Sequence, residues 1–270
     1  MAVSDRLFLR AALGLLPSRR PSGLPDSTLV RGDVRVDPAH LAAYDRVCGF
    51  RLTDTLPATY PHVLAFPLAM RLMSGSDFPF PVVGLVHVAN RITLRRPVAS
   101  SEALDLSVHA TDLRPHDRGR QFDVVAVASV GGEQVWHGVS TYLSKSGGGS
   151  GPRDRPAFAP PAASAVWRVP ARTGTDYAAV SGDHNPIHTS RIGARLFGFP
   201  GPIAHGMWTK ARCLAALEGR LPAAYTVDVA FKLPILLPAK ISFHAAPSPD
   251  GWEFRVDSGK PHLAGLVTHP

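Results

Sequence analysis

The chain repeats itself. Tyr44-Asp-Arg-Val47-Cys48-Gly49-Phe50 carries the same spacing as Tyr177-Ala-Ala-Val180-Ser181-Gly182-Asp183. Tyr, Val and Gly recur, a small residue precedes each Gly, and Phe50 stands where the second copy has Asp183. Further on, the run from His87 to Pro97 aligns without gaps on the run from Asp228 to Pro238, and Leu106 to Ala110 resembles Ile241 to Ala245. Matches that recur in the same order point to a duplicated unit. A length of 270 residues accommodates two domains of roughly 100–150 residues each.

Both copies have the same internal pattern. A helical stretch comes first, at Tyr60 to Ser74 and at His205 to Gly219, and segments with strand patterning bounded by turn residues follow. In the first copy these are Gly84 to Arg95, Ala103 to Arg114, Gln121 to Val130 and Gln134 to Ser144; in the second they are Tyr225 to Leu233, Ala239 to Ala246, Trp252 to Asp257 and His262 to Thr268. Asp37-Pro38 predicts a further helix over Ala39 to Val47, with Pro in the first turn. The expected class is α+β, a double hotdog in which each unit wraps an antiparallel sheet around a central helix. Ser146-Gly-Gly-Gly-Ser-Gly-Pro-Arg-Asp-Arg-Pro156 has no apolar residue with which to build a core and reads as a flexible linker. The expected organisation is an N-terminal arm over 1–30, a first hotdog over 31–145, a linker over 146–164 and a second hotdog over 165–270, opening at Trp167 to Pro170.

Within the arm, Asp5 to Leu16 predicts a short amphipathic helix. Arg10 interrupts its apolar run and Pro17-Ser-Arg-Arg20 makes a poor cleavage site, which argues against a secretory signal. No stretch approaches the roughly 20 apolar residues of a membrane span, so no stable membrane insertion is expected. Cys48 and Cys213 lie far apart without metal-ligand spacing and read as reduced thiols of a cytoplasmic protein. A net charge of +8 suits an anionic partner. The basic residues are scattered without aromatic interleaving, which disfavours nucleic acid and leaves a phosphate-bearing carrier.

Chemistry concentrates in Tyr177 to Met207. Gly182 frees the backbone before Asp183, and Pro186 fixes its own φ while pushing Asn185 out of helical geometry. Asp183 and His188 are thereby expected on one pre-set turn, where a carboxylate and an imidazole can converge on a water for general acid–base work. Taken singly, Asp183 reads as an Asx-turn and His188 as a hydrogen-bonded histidine. His184 reads as solvent-facing and His205 as structural or capping. No Gly-x-Ser-x-Gly elbow surrounds Ser181, and Asp183, His184 and His188 lack a further ligand for a metal.

The pattern Tyr-x-x-Val-Ser-Gly-Asp-x-Asn-Pro-Ile-His followed by Ala194, and the later Pro202-Ile-Ala-His-Gly-Met207, resembles the signature of the MaoC-like, (R)-specific enoyl-CoA hydratases. The direct match covers roughly residues 165 to 245. The resemblance implies hydration of trans-2-enoyl thioesters to (3R)-3-hydroxyacyl thioesters, or the reverse, in fatty acid metabolism. It makes Asp183 and His188 the water-activating pair and the Gly206 amide the oxyanion donor; Asn185 then orients the turn or helps to hold a reacting group. It implies neither metal nor redox cofactor, only the phosphopantetheine of an acyl-CoA or acyl carrier protein substrate.

Phenylalanine cannot exchange a proton, so Phe50 predicts a silent first unit and one active site per chain. The run from Gly49 to His62 is also shorter than that from Gly182 to His205, which leaves room beside the first central helix. Tyr60, Val63, Phe66 and Met70 are candidates to line an acyl groove, though at helical spacing they also read as ordinary core. Arg91, Arg95, Arg96 and Lys232 are candidates for the carrier's phosphates, though each taken alone also reads as a solvated strand-edge charge. A double hotdog is a pseudo-dimer within one chain and leaves further dimerisation open. A hotdog thioesterase and a non-catalytic acyl-thioester-binding protein are the competing classes; the intact Gly-Asp-x-Asn-Pro-Ile-His turn disfavours both.

Overall fold

The computed structural model describes residues 20–146 and 162–270. The helix expected over 5–16 and most of the linker expected over 146–164 lie outside the described residues. The first half runs β1 (Leu29–Val34), α1 (Pro38–Cys48), α2 (Tyr60–Met73), β2 (Val86–Leu94), β3 (Leu104–His116), β4 (Gly119–Val130) and β5 (Glu133–Lys145). The second runs β6 (Ala165–Val169), α3 (Thr173–Ser181), α4 (Pro186–Thr189), α5 (Arg191–Leu196), α6 (Gly206–Ala216), β7 (Tyr225–Phe231), β8 (Ala239–Ser248), β9 (Gly251–Asp257) and β10 (Pro261–Thr268).

All the strands join one antiparallel sheet in the order β1-β3-β4-β5-β2-β7-β10-β9-β8-β6. Each half thus contributes the same sequence of neighbours read from the centre outwards. The halves meet along β2 and β7, from Ala89 opposite Ala230 to Leu94 opposite Tyr225. This is the double hotdog, with α2 and α6 as its central helices.

Local chemistry accounts for the elements. Asp37 caps α1 by accepting from the amides of Ala39 and His40, Pro38 sits in the first turn, and Gly49 ends the helix at φ 82°. Gly182 ends α3 in the same left-handed conformation, at φ 74°. The two repeat tyrosines, both fully buried or nearly so, approach each other at 6.3 Å between ring centroids. The residue after each left-handed glycine, Phe50 or Asp183, leaves its helix at the same point.

Two sequence expectations shift. β1 begins inside the stretch read as an arm. Of its six residues only Val34 is fully buried, because it is an edge strand paired with β3 alone, so no alternation marks it. His62 is not the counterpart of His205. The residue capping α2 is Thr59 and the residue capping α6 is His205, which places His62 three positions past the cap, inside its helix.

The seam between halves carries a buried cation that the sequence did not flag. Lys210 on α6 is fully buried. Its Nζ donates to the Asn90 carbonyl at 3.1 Å, the Asn90 side-chain oxygen at 2.6 Å and the Val227 carbonyl at 3.2 Å. The second central helix is thereby tied to β2 of the first half and β7 of its own. Burial holds the Lys210 ammonium well below its usual pKa, with Asp228 opposing. Among the described residues, no helix is long and apolar enough to cross a membrane.

Candidate active site

A cavity of about 590 Å³ opens between the two central helices. Its second-half wall contains Asp183, Asn185, His188, His205 and Gly206; its first-half wall contains Val63, Phe66, Met70 and Met73.

The second-half wall follows from the turn after α3. Gly182 reverses the chain, and Asp183 Oδ1 accepts from the Asn185 amide at 3.2 Å. Asn185 then caps α4 through its own side chain, which accepts from the Ile187 amide at 3.3 Å, with Pro186 in the first turn. That single turn of helix brings His188 round to face Asp183. His188 is nearly buried. Its Nδ1 lies 2.7 Å from the Ile203 carbonyl. A carbonyl only accepts, so Nδ1 carries the proton and Nε2 keeps its lone pair. Burial pushes the His188 pKa down, opposed by the Asp183 charge and the Ile203 hydrogen bond. His188 is therefore neutral near pH 7, as a base must be.

His205 completes the cluster. One side-chain ligand atom from each of Asp183, His188 and His205 lies within 4.8 Å of the others. The His205 ring stacks on His188 at 3.7 Å between centroids. Its Nε2 donates to the Asp183 carbonyl at 3.0 Å and lies 3.8 Å from the Asp183 carboxylate. Burial first, then His188, holds its pKa well below the usual value. Although His205 occupies the cap position of α6, its side chain makes no capping bond; it braces Asp183 and His188 instead. The same three side chains have the spacing to hold a cation, which at His205 Nε2 would have to displace the bond to the Asp183 carbonyl.

Gly206 is the first residue of α6. The amides of a helix's first turn have no acceptor within the helix, and the dipole makes that end electropositive. The Gly206 amide has no acceptor among the described residues, which leaves it available to a thioester oxygen. A Cβ at this position would stand 2.9 Å from the Phe231 ring, so glycine is what the packing admits.

The structure brings together most of the residues the sequence suggested and separates others. Val63, Phe66, Met70 and Lys232 line the cavity with the catalytic candidates. Tyr60 does not. It is fully buried, its hydroxyl is 2.8 Å from His40 Nδ1, and its ring packs edge-on against Tyr44. Arg91, Arg95 and Arg96 are also off the cavity wall; Arg91 pairs with Asp228 at 3.5 Å across the seam and Arg96 with Glu102 at 2.9 Å. The β2 residues near the cavity are at the strand's other end, Val86 to Val88. The sequence missed Arg118 in the β3–β4 turn and Lys145 at the end of β5, both exposed and on the cavity lining. It also missed His62 and His87, whose burial pushes their pKa values down to about 4 and about 3. Met73, one helical turn beyond Met70, was legible from spacing alone.

A double hotdog with an acid–imidazole pair beside the free end of its second central helix places the chain among the hotdog hydro-lyases. Residues 163–246 match the family profile described as MaoC like domain. The chain is 44% identical over 270 residues to 3-hydroxyacyl-thioester dehydratase X of Mycobacterium tuberculosis (strain ATCC 25618 / H37Rv), covering 96% of each. The crystal structure of HtdX from that organism superposes with a TM-score of 0.82 at 41% identity, over 90% of this chain and 100% of that one. A shorter match, 46% identical over 66 residues, joins 22% of this chain to 3% of the fatty acid synthase subunit beta of Aspergillus oryzae (strain ATCC 42149 / RIB 40). The chain belongs to the MaoC-like dehydratase family.

Proposed function

We propose that this protein interconverts trans-2-enoyl and (3R)-3-hydroxyacyl thioesters in fatty acid metabolism, with Asp183 and His188 as its proton-transferring pair. The observation that carries this is the convergence of Asp183, a neutral His188 and the Gly206 amide on one wall of the cavity. A water held between Asp183 and His188 adds to C3. A C–O bond forms, the C2–C3 π bond breaks, and the water's proton passes to the pair. Charge that moves to the thioester oxygen is met by the Gly206 amide, which is already in place and need not reorganise. The pair then delivers a proton to C2, and one water has been added in all. Dehydration is the reverse.

The acyl chain lies along Val63, Phe66, Met70 and Met73, so the first half accommodates what the second half transforms. The carrier's phosphate groups meet Lys232, Arg118 and Lys145 at the rim. The chemistry needs neither a metal nor a redox cofactor, since the phosphopantetheine arrives with the substrate. A cytoplasmic setting belongs to the same reading, supported by Cys48 and Cys213, which are both unpaired and buried.

The test is the loss of enoyl absorbance when the protein meets a trans-2-enoyl-CoA, with chiral analysis of the product. Formation of the 3R alcohol is expected. Release of free thiol in its place would identify a thioesterase, and binding without turnover a carrier of acyl thioesters.

A further inference from the structure

We propose that the surface formed by α5 and the Lys232–Leu236 segment is a docking face for an acidic acyl carrier protein; this rests on the thioester hydratase reading above. Ile192 is 74% exposed and Leu196 80% exposed on α5, and Phe197 and Leu236 beside the cavity are 41% and 42% exposed. Large aliphatic side chains this open, grouped at the border of a binding cavity, mark an interaction surface rather than scattered surface apolarity. Both segments border the cavity, α5 through Phe197 at its end and the second through Lys232 and Ile235, and the chain that follows α5 is tied to the second where Ile203 bridges to Leu236 and the Ala204 amide donates to the Ile235 carbonyl at 2.9 Å. Phe197, Phe199, Lys232 and Ile235 all line the cavity itself, so whatever covers the face stands at the entrance.

Charge selects the occupant. No Asp or Glu occurs between Asp183 and Glu218, nor between Asp228 and Asp250. The cations Arg191, Arg195 and Lys232 are exposed on these segments, and none of them forms an ion pair among the described residues. A basic rim around exposed aliphatics complements a protein surface rich in carboxylates with its own apolar residues. A coenzyme A nucleotide can use the cations but has no counterpart for Ile192 and Leu196. A second copy docking face to face would set Arg191 and Arg195 against their own equivalents. Charge complementarity of this kind acts mainly on the encounter rate and weakens with salt.

The test compares one 2-enoyl group on three carriers: N-acetylcysteamine, coenzyme A and an acyl carrier protein. Neither Arg195 nor Leu196 touches the cavity, so Arg195→Glu and Leu196→Ser should leave turnover of the N-acetylcysteamine and coenzyme A substrates unchanged. They should lower kcat/KM for the carrier-protein substrate by about tenfold or more, and abolish salt-sensitive calorimetric binding of the carrier protein. Equal behaviour of the variants on all three carriers would overturn the proposal. So would a face that the same variants show to bind anionic vesicles or a second copy while carrier-protein turnover stays intact. Failure of the wild type on every thioester would sink the hydratase reading instead, with carrier-protein binding still reporting on the face.

Discussion

The two halves start alike and part at one residue. Each has an edge strand, a helix ended by a left-handed glycine, a central helix and four strands in the same order. After Gly49 the first half continues with Phe50, which stacks on Tyr44 at 6.3 Å, and reaches its central helix directly. After Gly182 the second half continues with Asp183 and inserts α4 and α5 before its central helix begins. That insertion supplies His188, the carbonyl of Ile203 that fixes its tautomer, and the exposed face proposed for docking. Under the function proposed above, the difference teaches how a duplicated fold can separate chemistry from accommodation. One copy keeps the acid and the loop, while the other gives them up and offers its central helix as a cavity wall.

The sharpest way to break this comparison, short of the acid itself, is at the start of α6. In Gly206→Ala the new methyl meets Phe231, so the amide must move. A fall in kcat of about a hundredfold with KM little changed is expected; an unchanged kcat would remove the Gly206 amide from the reaction. The role of the silent half is probed by Met70→Trp, which fills the groove. It should lower the kcat/KM ratio of long to short enoyl chains by about tenfold while short-chain turnover holds. An unaltered ratio would place the acyl chain elsewhere.

Acid tests both halves at once, because each contributes histidines held neutral by desolvation: His62 and His87, half-buried, in the first, and His188 and His205, buried, in the second. Their folded pKa values lie below the unfolded value near 6.5. The unfolded chain therefore binds more protons, and stability falls as pH drops. The contribution is complete above about pH 6.5 and is lost as pH falls through the folded values, about 4 for His62 and about 3 for His87. Thermal scans should show Tm lower by more than about 5 °C at pH 4.5 than at pH 7. A flat profile would mean these imidazoles are not desolvated as described. The smallest effect on turnover is expected from Phe50→Asp. It restores the acid but not the loop, so activity should match wild type while stability falls by about 1–3 kcal/mol. A gain in turnover would show that the loop is dispensable.

Much of this was legible in the sequence, and the parts that were not share a physical cause. The duplicated Tyr-x-x-Val-x-Gly run located both glycine-ended helices, and the Asp183 to His188 turn declared itself because Gly and Pro fix backbone geometry locally. Position across the sheet was harder to read. Arg91 in β2 and Arg95 just after it have the look of phosphate ligands, yet the register with β7 puts Arg91 against Asp228, beyond the Val86 to Val88 stretch that lines the cavity. Tyr60 had the spacing of a groove residue but turns towards His40 and Tyr44. Lys210 carries no signal in the sequence, and His205 reads there as structural or capping, because a lysine or histidine at a helix shows its task only when its partners across the fold are known. Those partners, Asn90 and Val227 for one and Asp183 for the other, are brought in by tertiary pairing alone.

Asp183 is the residue on which the division of labour between the halves depends. The most direct measurement is the rate of trans-2-enoyl-CoA hydration by Asp183→Asn beside wild type, with circular dichroism to show the fold intact. The carboxylate is the one acid the second half has and the first half lacks at this position. A loss of about a thousandfold or more is expected. A variant that retains wild-type turnover would mean that the chemistry does not reside in this turn, and that the division between the halves has been misassigned.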